Sequence, residues 1–127
     1  MKTAAVWSIV ALAVLGGCGP SQPPLSGGKS VQHWVQALQD RDPKHRQEAV
    51  IKLGNAGASD AAVLPALVGA LKDSDAKVRC EAILAVLKCG PSAQEAVPAL
   101  SEVMHHDKDA KVRSYAAKAL EKLKSTP

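Results

Sequence analysis

Three sets of residues in this chain are of types that do chemistry. The first is the run His105-His106-Asp107-Lys108-Asp109, whose imidazoles and carboxylates are metal-ligand types. Neighbouring residues on a helix point about 100° apart, so adjacent histidines are poorly placed to share one ion, and no metal site is expected. The second set is the thiol pair Cys80 and Cys89. On one helical pattern their spacing is about 13.5 Å, beyond a disulfide's reach, so both are expected as free small residues, with Cys80 exposed. The third is an arginine series, Arg46, Arg79 and Arg113, accompanied by Asp40, Asp73 and Asp107. It looks like a ligand-binding ladder, but guanidinium forks suit fixed carboxylates, which favours pairing inside the protein. No Ser/His/Asp or Cys/His set, glycine-rich phosphate loop or close carboxylate pair accompanies these residues. The sequence therefore reads as non-catalytic and without a cofactor.

The elements that position these side chains are read from composition and pattern. The chain has 127 residues and a net charge of +4, with 46% apolar residues, 2% aromatics and no Phe. That length fits one small domain, and 22% charge beside that apolar content argues against disorder. Two Trp and one Tyr are too few for a base-stacking nucleic-acid module.

From Ser30 onward the sequence repeats. Pro65-Ala66-Leu67 returns as Pro98-Ala99-Leu100. Asp73, Asp75, Val78, Arg79 and Ala82 return as Asp107, Asp109, Val112, Arg113 and Ala116. An upstream copy carries Trp34, Leu38, Asp40, Asp42, Arg46 and Ala49. The spacing is 33 residues and then 34, with the extra residue expected in the turn around His105-His106.

Each copy shows two helical stripes and no strand alternation. The first helices carry Val31, Trp34, Val35 and Leu38, then Val63, Leu67 and Leu71, then Val97, Leu100 and Met104. The second carry Ala49, Val50 and Leu53, then Val78, Ala82, Ile83 and Val86, then Val112, Ala116, Ala119, Leu120 and Leu123. Ser30, Asp42, Asp75 and Asp109 stand as N-caps, and Ser92 with Glu95 has capping-box spacing. Gly57 and Gly90 are placed to end two second helices.

The twice-repeated Asp-x-Asp-x-x-Val-Arg-x-x-Ala string, with Pro-Ala-Leu ahead of it, resembles short HEAT-type repeats of bacterial proteins. The resemblance implies an all-α solenoid of three repeats, about 30–57, 60–90 and 92–124, within a domain of residues 30–124. The first copy departs from the pattern, with His45 in place of Val, as fits a terminal capping repeat. The resemblance also implies that the Arg/Asp series bridges neighbouring repeats. It further implies that the second helices line a concave, partner-binding surface: Lys44, Gln47 and Ile51; Lys77, Cys80 and Leu84; Lys111, Ser114, Tyr115 and Lys118. Ile51, Leu84 and Tyr115 are the expected anchors. The partner class is a protein. The alternative is a membrane-surface role, with the aligned Lys44, Lys77 and Lys111 contacting anionic lipid or polymer.

The N-terminus reads as an address. Lys2 precedes an apolar run from Ala4 to Leu15, short of the ~20 residues a span needs but right for a signal peptide. Its end, Leu15-Gly16-Gly17-Cys18, resembles the lipobox of bacterial lipoproteins. That resemblance implies removal of residues 1–17, acylation of Cys18 and anchoring to a bacterial membrane. Gly rather than Asp at position 19 implies the outer membrane where the envelope has two. Cys18 with the Pro/Gly/Ser-rich stretch to residue 29 reads as a tether. An exported chain with so small a positive excess is not expected to bind nucleic acid.

Overall fold

The computed structural model describes residues 28–126. The expected signal peptide, Cys18 and the linker up to residue 27 lie outside the described residues. Six α-helices follow in order: α1 (Val31–Ala37), α2 (Pro43–Ala56), α3 (Val63–Ala70), α4 (Ala76–Leu87), α5 (Val97–His106) and α6 (Ala110–Ser125). They pack as three successive hairpins, and no strand occurs among the described residues, so the fold is an all-α solenoid. None of these helices is long and apolar enough to cross a membrane.

The helix starts follow from their caps. Ser30 Oγ accepts the His33 N–H at 3.2 Å. Asp75 accepts the N–H groups of Lys77 and Val78 at 2.8 and 3.2 Å, and Asp109 those of Lys111 and Val112 at 2.8 and 3.3 Å. Asp42 accepts the Lys44 N–H at 2.9 Å, with Pro43 opening α2, where a missing N–H costs nothing. The aspartate two residues earlier closes each turn. Asp40, Asp73 and Asp107 accept the N–H of Asp42, Asp75 and Asp109 at 2.8, 2.9 and 2.9 Å. One Asp-x-Asp string thus both turns the chain and starts the next helix.

The core is aliphatic and continuous through the three repeats. Leu53, Leu67, Ile83 and Leu100 are fully buried, as are the alanines at one repeat position, Ala49, Ala82 and Ala116. A methyl group at that position lets helices approach closely, which is how a core forms here without Phe. Helices α2 and α4 approach closely at Gly54, where a Cβ would stand 2.8 Å from Ala85 Cβ. Gly57 then ends α2 at φ 59°, a conformation L side chains rarely adopt.

Several local expectations need correction. Ser92 and Glu95 do not form a capping box: residues Gly90–Ala96 wind as a 3₁₀ segment, and α5 begins at Val97 without a side-chain cap. Gly90 does not terminate α4 directly, because the helix ends at Leu87 and its cap is Lys88. The extra residue of the third repeat sits in the last turn of α5, not in a loop, since His105 and His106 are both helical. Val35, Leu38, Val97 and Met104 of the first-helix stripes are half-buried and pack against the core.

Candidate functional site

Helices α2, α4 and α6 lie side by side, and a groove opens along them at the second and third repeats. Among the expected partner-binding residues, Gln47, Lys77, Cys80, Leu84, Lys111 and Tyr115 line it. Lys44, Ile51, Ser114 and Lys118 stand exposed on the same helices, outside this lining. Among the described residues Leu84 and Ile51 are the exposed large apolar side chains, at 42% and 38% of their surface. Two other expectations change. Cys80 and Tyr115 are half-buried and packed against the core, because the neighbouring helix covers part of each.

Two lining residues were not anticipated as site residues: Ala76 and Asp109. Glu81 faces the groove from α4, and Asp109 enters because an N-cap necessarily sits at the mouth of its helix. The lysine stripe is therefore interleaved with carboxylates. Lys111 Nζ lies 5.9 Å from the Tyr115 ring centre, within cation–π range. Burial pushes the Cys80 thiol above the usual cysteine range; Lys111 works against this and Asp109 with it. Cys89 is buried just beyond α4, and burial raises its pKa too.

The arginine series has a different geometry. Arg46 Nε donates to Asp73 Oδ2 at 2.9 Å and Nη2 to Asp73 Oδ1 at 3.1 Å. Arg79 holds Asp107 in the same two-pronged way at 2.8 and 3.1 Å. The remaining Nη1 donates back to the turn of its own repeat, Arg46 to Asp40 O at 2.8 Å and Arg79 to Asp73 O at 2.7 Å. Each guanidinium thus ties two repeats and one turn, with its forked edge committed to a carboxylate of the protein itself. The expected six-residue series gives two rungs. Asp40 and Arg113 have no inter-repeat partner among the described residues: Arg113 Nη1 meets only its own Asp107 O, at 2.6 Å, and Asp40 lies 3.4 Å from His45. They are the first and last members of the series among the described residues. The N–H of Asp42, with His45 and Arg46 behind it, holds the Asp40 carboxyl below the usual range.

The histidines do not converge. His105 Nδ1 lies 2.7 Å from Ser101 O, its ring centre is 6.2 Å from that of His106, and no cluster among the described residues could hold a metal ion. His106 instead borders a second groove, floored by Val68, Leu71, Ala99 and Val103 on the first-helix side.

A family model for HEAT repeats matches residues 31–125, a span covering all six helices. The chain belongs to the HEAT-repeat family. A comparison with curated proteins finds no match. HEAT repeats generally mediate protein–protein interaction and serve as non-catalytic scaffolds.

Proposed function

We propose that this HEAT-repeat protein is a lipid-anchored, non-catalytic docking module of the bacterial cell envelope. Its protein partner would be held along the second-helix groove. The observation that carries this reading is the groove itself, where exposed Leu84 and half-buried Tyr115 are flanked by Lys77, Lys111, Glu81 and Asp109. An apolar centre with a rim of both charges suits a protein surface. It suits a polyanion or lipid headgroup less well, because the carboxylates lie among the lysines. The lipobox-like Leu15-Gly16-Gly17-Cys18 supplies the anchor. Tethering raises the effective concentration of a membrane partner at the groove.

A photo-crosslinking residue at position 84, in intact cells, tests the groove. One defined adduct that disappears with Tyr115→Ala, while the fold is retained, is the expected result. Equal adducts from position 84 and from exposed Glu102, on the first-helix side, would remove the groove from the proposal. Cys18→Ser tests the anchor, and is expected to move the protein from the membrane to the soluble fraction.

A further inference from the structure

The register between repeats can be carried past the first and last described repeats. Within the chain, each outgoing arginine grips the aspartate of the following repeat, Arg46 to Asp73 and Arg79 to Asp107. Among the described residues Arg113 is the outgoing arginine that grips no aspartate of another repeat, and Asp40 the incoming aspartate that no arginine side chain grips. Gly54 meets Ala85 across the first junction. The same two positions at the chain's ends are Glu121, outgoing on α6, and Lys52, incoming on α2. Leu84 and Tyr115 share the groove of the second junction, and their counterparts at the ends are Lys118 and Glu48. All three end-to-end pairs have opposite charge. Polar end faces normally stop a solenoid, but stopping does not require opposite charges in register. The incoming end also holds an unfinished surface. Trp34 is 95% buried (5% exposed), yet its Nε1 has no hydrogen-bond partner among the described residues, and its ring borders a cleft with Asp40, His45 and Glu48.

We propose that copies of this chain associate head to tail, α6 of one against α2 of the next, with Arg113 gripping Asp40 of the second copy. Such a heterologous contact leaves one end of each outer copy unpaired, so it builds rows or rings rather than dimers alone. Exposed charge pairs make it weak in free solution and sensitive to salt.

The test uses the purified full chain and a zero-length carbodiimide, which joins carboxylates to amines in contact. Glu121 and Lys52 of one chain are separated by α4, so a Glu121–Lys52 link reports contact between copies. The expected result is that link in a dimer band, weakened by salt. Sedimentation should show association reduced about tenfold by Arg113→Asp or by Asp40→Arg, and restored on mixing the two variants. Arg113→Asp removes an internal hydrogen bond, so Glu121→Lys with Lys52→Glu repeats the exchange at an independent pair. Absence of the link, links between two α6 helices, or association indifferent to both charge exchanges would overturn the proposal.

Discussion

At the junction of the first and second repeats, the Arg46 and Asp73 side chains keep 13% and 12% of their surface exposed. At the junction of the second and third, Arg79 and Asp107 keep 5% and 7%. The forked bonds are alike in geometry, and each arginine also reaches a turn carbonyl; Arg46 adds contacts to Arg41 O at 3.0 Å and Ser74 Oγ at 3.4 Å. What differs is the backing. The first junction is held by close helix contact at Gly54, with Lys88 Nζ reaching Asn55 Oδ1 at 3.0 Å. The second has Leu87 at the place of Gly54, packed against the core. One junction relies on backbone approach beside a partly wet ion pair, the other on side-chain packing around a dry one.

The largest separation between the junctions should come from deleting the arginines. Arg79→Ala strands a buried carboxylate and is expected to cost about 3–5 kcal/mol. Arg46→Ala leaves Asp73 nearer water and is expected to cost about 1.5–2 kcal/mol. Urea unfolding of both variants measures the gap, and equal losses would mean that burial does not distinguish the rungs. The reverse ordering is expected for backbone approach. In Gly54→Ala the new methyl would lie 2.8 Å from Ala85 Cβ and 3.1 Å from its Cα, so the helices must part. The expected cost is about 1–3 kcal/mol, outweighing the ~1 kcal/mol that alanine gains in helix propensity. Adding Ala85→Gly should recover part of it; no recovery would place the strain elsewhere.

Helix caps give a smaller contrast. Asp109 and Asp75 each accept two N–H groups, Asp42 one. Asp109→Ala is expected to lower stability by about 1 kcal/mol and Asp42→Ala by less, read as shifts in thermal midpoint.

Much of this was legible because the repeat is local. The Asp-x-Asp turn, the caps at Asp42, Asp75 and Asp109 and the buried alanines depend on spacing within a single hairpin, which the residues print directly. What was not legible depends on the neighbouring hairpin. Tyr115 and Cys80 look exposed on their own helices, and only an adjacent helix half-covers them. Gly54 carried a signal, a glycine inside a helix, yet its reason is Ala85, thirty-one positions away. Ser92 and Glu95 had the right spacing for a cap, but the connector preferred 3₁₀ hydrogen bonds. The Asp109 carboxylate of the groove was hidden because it was accounted for as a cap, which says nothing of what its helix mouth faces.

The finest probe of the two junctions is Cys80, which lines the groove between α4 and α6. Its thiol is half-buried and raised by burial, whereas Cys89 is 2% exposed, with its Sγ 3.8 Å from Ala85 O. Alkylation of the folded protein should therefore be slow at Cys80, slower at Cys89, and faster at both as pH rises. The sign for stability follows. A thiol raised in the folded state contributes fully below its unfolded pKa of ~8.5, and that contribution fades as pH climbs toward the folded value. Arg79→Ala, which loosens the second junction, should speed Cys80 alkylation more than Arg46→Ala does, with Cys89 as internal control. If Cys80 responded equally to both variants, the junctions would open as one unit, and the contrast between a dry rung and a wet one would describe burial without describing motion.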